Sequence, residues 1–184
     1  MPVGATGKGS TEGRRKGEIA LLAFHDNGPW QAAKALWEAQ QAGELDGAEI
    51  AELIRECVWP RLDPPGGDRG PLSDAQWVTL FRAAAPIQQS GTPVELSFPL
   101  RVYRGATTAR ARGLSWCTSR SMAEAFGKRL SHLGATGHIW TAEIDEHAVL
   151  AILNWRTDSV DARDPRAREI VVDPAGLPAQ LERL

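Results

Sequence analysis

Arg104 stands where a bound anion could be held. The largely apolar residues 100 to 103 predict a strand, and Arg104 follows directly at its end. The next residue, Gly105, has no side chain, so the backbone there can approach a ligand closely. A guanidinium group binds phosphate or carboxylate through a planar fork of N–H donors. Arg104 and Gly105 together therefore predict an anion-binding position.

Hydroxyl groups and a carboxylate accompany two later strands. Residues 113 to 119 predict a short strand, and Glu169 begins another that runs to residue 172. The first of these segments carries three hydroxyls and one thiol, those of Ser115, Cys117, Thr118 and Ser119. A carboxylate stabilises a developing positive charge when neighbouring groups hold it in place. Arginine, hydroxyl and glutamate therefore follow one another along the chain, each on its own strand.

The remaining elements give an α+β chain. Apolar residues recur at three- or four-residue steps from 17 to 59, with breaks at 26–29 and 43–47, and again from 73 to 85. Residues 121–126 have helical spacing, and 140–144 and 149–153 predict two more strands. Helices therefore come first and strands second. The first 16 residues are rich in glycine and basic residues and predict a disordered tail.

The ordered set resembles the Arg–Ser–Glu group of the ADP-ribosyltransferase superfamily, in its toxin-like branch. The matching residues are Arg104 in VYRG, Cys117 to Ser119 where the family has Ser-Thr-Ser, and Glu169 in REIVVDP. The resemblance covers the C-terminal half of the chain. It implies a helical segment at 17–95 that packs on an NAD-binding core at 96–184. It also implies that this core is a split mixed β-sandwich.

The resemblance also implies an activity, that of an NAD-dependent mono-ADP-ribosyltransferase. NAD would be its substrate, Glu169 would lie under the ribose, and Arg104 would hold a phosphate or ribose. A hydroxyl from Ser115, Thr118 or Ser119 would orient the glutamate. Phe126 is the first choice to stack on nicotinamide, with Trp116 and Tyr103 as other candidates. The NAD-binding set is then Arg104, Gly105, Ser115, Cys117, Thr118, Ser119 and Phe126.

The acceptor of ADP-ribose stays open. The polar segment 154–168 is where the family recognises its acceptor, and Trp155 and Arg156 could contact it. Arginine-modifying members carry a second glutamate where this chain has Ala167, which argues against protein arginine as the acceptor. Another macromolecule is expected, either protein or nucleic acid. Water as acceptor would instead make the chain an NAD glycohydrolase toxin.

Two alternatives come from other classes. Cys117 and Ala167 depart from the family pattern, so the chain could be a binding module that keeps the fold without turnover. A nucleic-acid binder is the other alternative, because residues 101–137 hold seven lysines and arginines and one acid. The net charge of −2 argues mildly against the latter. Toxin, effector and phage-encoded modifier all fit a small NAD-splitting enzyme.

Composition sets the remaining expectations. A hydrophobic fraction of 42% and a charged fraction of 24% are ordinary for a globular protein. Two cysteines give no disulfide framework, and their spacing from the histidines fits no zinc pattern, so no metal is expected. No apolar run is long enough for a membrane span, so no membrane partner is expected. The expected location is the cytoplasm, of its own cell or of a target cell.

Overall fold

The computed structural model of the chain describes residues 8–25, 28–62, 70–88, 96–131, 134–154 and 168–184. They form two compact units. The first contains the described residues up to Ala85, and the second runs from Pro86 to the C-terminus. The boundary lies earlier than the predicted one at residue 95, because strand residues Ile87 and Gln88 already pair with the sheet of the second unit.

The first unit is helical. Its helices are α1 (Lys8–Leu22), α2 (Gly28–Gln41), α3 (Gly47–Glu52) and α4 (Asp74–Ala83), and α3 continues into a π-helical stretch (Leu53–Val58) and a 3-10 turn (Trp59–Arg61). Helix α1 begins at Lys8, within the segment 1–16 for which the sequence predicts a disordered tail. Within the described ranges, no helix is long and apolar enough to cross a membrane.

Local capping and aromatic packing explain where these helices lie. The Asp46 side chain accepts hydrogen bonds from the first turn of α3, and Ser73 does the same for α4. Trp59, Trp77 and Phe81 are almost fully buried, and the Trp59 ring meets the other two edge-on at 5.2 and 4.9 Å. These three rings form the centre of the first unit.

The described residues of the second unit form one open seven-stranded sheet with helix α5 (Arg120–Ser131). The strands are β1 (Ile87–Gln88), β2 (Leu100–Ala106), β3 (Ser115–Cys117), β4 (His138–Ile144), β5 (Val149–Asn154), β6 (Arg168–Val172) and β7 (Glu182–Arg183). Their order across the sheet is β1-β5-β6-β3-β2-β4-β7. Strand β1 runs parallel to β5, and every other neighbouring pair is antiparallel. The α+β prediction is confirmed.

The junction of β2 and β3 has the fewest paired positions in the sheet. Strands β2 and β4 pair at seven positions and β3 and β6 at three, whereas β2 and β3 pair only at Tyr103 and Cys117. The predicted sandwich implied separate layers, but the described strands all belong to a single sheet. The sheet is thus continuous, and its shortest strand pairing is the one between β2 and β3.

Each face of the sheet has its own apolar cluster. One face buries Val102, Trp116, Ile144, Ile170 and Val172. The opposite face carries Cys117 against Met122 and Ala123 of α5, with the partly buried Tyr103, Phe126 and Ile139 around them. Alternation along each strand puts neighbouring residues on opposite faces.

Helix α5 lies unusually close to the sheet, and glycines allow it. A Cβ atom on Gly105 of β2 would overlap the Ala123 carbonyl oxygen, and one on Gly137 would overlap the backbone of Gly127. Only glycine leaves room for this backbone-to-backbone approach.

Replacing Gly105 by alanine should therefore destabilise the second unit. We expect a loss of about 2 to 3 kcal/mol in the free energy of unfolding, because α5 must move away from β2 to accept the methyl group. Gly17 is the control, since it lies in a helix with no atom near its Cβ position. Gly17→Ala should be neutral or slightly stabilising. Thermal unfolding followed by circular dichroism measures both, and equal midpoints would contradict the close packing.

Candidate functional site

Strands β3 and β6 bring a hydroxyl and a carboxylate together. Cys117 is the register partner of Glu169, so Ser115, two residues earlier, lies on the same face. The Ser115 hydroxyl Oγ donates a hydrogen bond of 2.6 Å to Oε1 of Glu169. Glu169 is 8% exposed. The carboxylate is therefore held in a defined orientation with little access for bulk water.

Arg104 contacts the same serine from strand β2. Its Nη1 donates to the Ser115 carbonyl oxygen, and its Nε donates to the Arg110 carbonyl oxygen at 3.1 Å. The guanidinium also lies against Gly113, where a side chain would collide with it. Ser115 thus accepts from Arg104 through its backbone and donates to Glu169 through its side chain. Ser115 thus links the other two residues, although strand alternation places the Arg104 side chain on the face of Val102 and the side chains of Ser115 and Glu169 on the face of Cys117.

The other two hydroxyls of the segment have different partners. Thr118 Oγ1 accepts a hydrogen bond from the Arg168 backbone N–H at 3.0 Å, and the Thr118 N–H donates to the Arg168 carbonyl oxygen at 3.1 Å. Ser119 is buried, with its hydroxyl 2.9 Å from that of Ser121. Thr118 extends the pairing of β3 with β6, and Ser119 contacts the first turn of α5. Of the three predicted candidates for orienting Glu169, Ser115 is the one whose described hydrogen bond reaches it.

Cys117 is a packing residue. It is 3% exposed, and its Sγ lies 3.2 Å from the carbonyl oxygen of Tyr103 and 3.1 Å from that of Ser119, to either of which its single S–H can donate. Burial, the largest cause, raises the pKa of the thiol from 9.0 to about 12. The thiol is therefore neutral near pH 7 and is directed to backbone oxygens.

Gly105 makes room for helix α5. Ala123, Phe126 and Gly127 of that helix occupy the space beside the missing side chain. A ligand contact with the backbone at Gly105 stays a prediction.

An aromatic surface lies on the α5 side of the sheet. Phe126 and Tyr103 pack with Ile139 against the cluster of Cys117, and both rings are partly exposed. The Arg129 guanidinium lies over the Phe126 ring at 5.1 Å. Trp116 is 1% exposed and belongs to the opposite cluster, so it cannot stack on a ligand in this structure.

Some predicted positions lie outside the described residues. Trp155 and Arg156, predicted to recognise the acceptor, are among them, as is Ala167. Among the residues that the structure does describe, no group of three or more histidine, cysteine or acidic side chains could hold a metal ion.

Two residues of the loop between β2 and β3 make contacts that the sequence did not predict. They are Gly113, on which the Arg104 guanidinium lies, and Arg112, whose side chain reaches the segment after β6. A glycine and an arginine in a loop are common, and nothing in their spacing distinguishes these two. Their partners are more than 60 residues away or across a strand junction, and only the folded chain brings them together.

The buried thiol predicts slow alkylation. At pH 8, iodoacetamide should modify Cys117 at least about a hundredfold more slowly in the folded chain than in urea, because the raised pKa lowers the thiolate fraction and the side chain is shielded. The partly exposed Cys57 is the comparison within the same sample. Since the folded pKa is the higher one, the contribution to stability is complete below pH 9 and is lost between pH 9 and about 12. Peptide mass spectrometry measures both rates, and equal rates at Cys117 in the two states would refute the assignment.

Comparisons of this chain with protein-family models, with curated proteins and with solved structures find no match. Its function is therefore inferred from its own residues and contacts.

Proposed function

We propose that the chain is a mono-ADP-ribosyltransferase that breaks the bond between nicotinamide and ribose in NAD and transfers ADP-ribose to a macromolecular acceptor. The observation that carries the proposal is the position of Ser115, which contacts Arg104 through its carbonyl oxygen and Glu169 through its hydroxyl. The arginine, hydroxyl and glutamate that follow one another in the sequence are thus connected in space.

The reaction suits such a set of residues. When the C1′–N bond breaks, its electron pair goes to the nicotinamide nitrogen, which loses its positive charge, and the ribose becomes an oxocarbenium ion. The acceptor then bonds to C1′ and gives up a proton. Nicotinamide leaves as a neutral molecule, so the protein has to supply position and negative charge near C1′.

Glu169 supplies the negative charge in this proposal. Its carboxylate would lie beside the ribose and interact with the 2′-hydroxyl, as carboxylates do in glycoside hydrolysis. The 2.6 Å hydrogen bond from Ser115 supports this role, since it holds the carboxylate in one orientation. A preoriented charge stabilises the transition state without first having to reorganise.

Arg104 would bind the anionic part of NAD or its nicotinamide-side ribose. Its contacts with the Arg110 and Ser115 carbonyl oxygens support this role by limiting where the guanidinium can lie. Phe126 and the adjacent Tyr103 are partly exposed and offer aromatic faces on which nicotinamide could stack. Gly105, Cys117, Thr118 and Ser119 would act on this site through packing and backbone hydrogen bonds.

The architecture of the second unit supports an ADP-ribosyltransferase-like core. Arg104 lies on β2 and Ser115 on β3, on the two sides of the junction that has a single paired position. Glu169 follows on β6, the next strand across the sheet.

Cys117 does not weaken the proposal that the chain is catalytic. The family's first serine position holds this cysteine, yet the hydroxyl that contacts the glutamate comes from Ser115, two residues earlier on the same face. The departure in sequence therefore leaves the glutamate with a hydroxyl partner. We propose an acceptor other than protein arginine because Ala167 stands where arginine-modifying members have a second glutamate.

Replacing Glu169 by glutamine should lower nicotinamide release from NAD by about 10² to 10³-fold, because the charge that stabilises the oxocarbenium ion is lost. Glu143→Gln is the matched control, since Glu143 is an exposed glutamate of the same sheet that pairs with Arg101. Release is measured chromatographically with purified protein, alone and with cell lysate. Equal activity in Glu169→Gln and wild type would refute the assignment.

The same assay separates the alternatives. Release by the pure protein alone indicates an NAD glycohydrolase. Release that needs lysate, with label from NAD on one species, indicates a transferase and identifies its acceptor. Binding of NAD without release under either condition would instead indicate a non-catalytic binding module.

Ser115→Ala should lower kcat by about 10- to 100-fold, because a hydrogen bond to a charged group contributes roughly 1.5 to 3 kcal/mol. Ser121→Ala is the control, since its hydroxyl is exposed and contacts Ser119. We expect Ser121→Ala to stay within about twofold of wild type. A larger loss in Ser121→Ala than in Ser115→Ala would show that another hydroxyl orients the glutamate.

A further inference from the structure

We propose that Arg112 is a positioning residue, which fixes the loop between β2 and β3 and thereby holds Arg104 in place for NAD. This inference rests on the function proposed above and adds a residue to it. Arg112 has no direct contact with NAD in this proposal and acts through Arg104.

The Arg112 side chain binds the segment that follows the Glu169 strand. Its Nη1 donates to the carbonyl oxygens of Pro178 at 2.8 Å and Ala179 at 3.4 Å. Its Nη2 donates to those of Leu177 at 3.2 Å and Pro174 at 3.3 Å. One guanidinium thus donates to four backbone carbonyl oxygens within a stretch of six residues. A planar fork with several donors can do this, whereas a lysine ammonium on a flexible stem cannot reproduce the geometry.

The segment that Arg112 binds is itself fixed. The Asp173 side chain accepts a hydrogen bond from the Ala175 N–H at 2.9 Å, and the Asp173 N–H donates to the Ala148 carbonyl oxygen at 2.8 Å. Leu177 is buried in the apolar cluster of the sheet. Arg112 therefore binds a rigid support, not a free chain end.

The loop that Arg112 holds supports Arg104. It contains Arg110, whose carbonyl oxygen accepts from Arg104 Nε, and Gly113, on which the guanidinium lies. Ser115, the third contact of Arg104, begins the next strand. Arg112 lies between the first two of these points, so its hydrogen bonds restrict the same short stretch of backbone.

Glu169 has a separate support. The pairing of β3 with β6, the hydrogen bond from the Val172 N–H to the Leu114 carbonyl oxygen, and the Ser115 hydroxyl do not involve the Arg112 side chain. Loss of Arg112 should therefore loosen the NAD-binding arginine and leave the carboxylate in place. The expected signature is a rise in KM for NAD with little change in kcat.

The test compares Arg112→Ala and Arg112→Lys with Arg101→Ala in the full chain, by nicotinamide release. Arg101 is the control because it is an exposed arginine at the start of β2 that pairs with Glu143. We expect Arg112→Ala to raise KM for NAD about tenfold, with kcat within about twofold of wild type. Arg112→Lys keeps the charge but should still raise KM about threefold or more, and Arg101→Ala should leave KM unchanged.

A second readout is independent of catalysis. The N–H groups of Arg110, Ala111 and Gly113 are hydrogen-bonded within the loop, to Thr107, Thr108 and Arg110. Their exchange with deuterium should become faster in Arg112→Ala, while exchange in β6 stays as in wild type. If Arg112→Ala does not fold, Arg112→Lys carries both measurements.

Several results would overturn the inference. An unchanged KM in both Arg112 variants, or full recovery by lysine, would show that the loop holds Arg104 without this guanidinium or that only its charge matters. A fall in kcat at constant KM would show that Arg112 acts through Glu169 and not through Arg104. Absence of release in the wild type would overturn the proposed function as well, and this outcome is distinct because it appears before any substitution is made.

Discussion

Strand β3 has three residues, and the arrangement of the candidate site depends on its two neighbours. It pairs with β6 at every position and with β2 at a single position. Ser115, its first residue, contacts Arg104 on one side and Glu169 on the other. A longer pairing with β2 would strengthen the sheet, but it would replace side-chain contacts with a backbone ladder at the place where the polar residues meet. The junction of β2 and β3, which has one paired position, is therefore also where Arg104 meets Ser115.

Side-chain hydrogen bonds to backbone oxygens add to the single paired position between β2 and β3. Arg104 donates to the Ser115 carbonyl oxygen, and the Cys117 thiol lies within hydrogen-bond distance of the Tyr103 carbonyl oxygen across the junction. Buried carbonyl groups that lack a strand partner cost free energy unless another donor satisfies them. A guanidinium has enough donors to stabilise this junction and, in the proposed function, to bind an anion as well, which an ammonium group would not do in the same geometry.

Glycine residues determine how closely helix α5 approaches the sheet. Gly105, Gly127 and Gly137 let α5 touch the backbone of the sheet, and this brings Phe126 beside Tyr103 and Cys117. The partly exposed aromatic surface is thus a consequence of backbone packing. The same close approach buries the Cys117 thiol and raises its pKa.

The sequence by itself determined the α+β class, most of the helices and strands, and the order of Arg104, the hydroxyl segment and Glu169, because periodicity and turn residues act over short distances. The start of α1, the pairing of β1 with β5 and the role of Gly105 needed the tertiary structure, as did the choice of Ser115 over Thr118 and Ser119. The reason is register. Neighbouring hydroxyls on one strand are equivalent in sequence, and only pairing with β6 decides which of them lies beside the carboxylate. The carbonyl partners of Arg104 and Arg112 likewise depend on which distant segments the fold brings together.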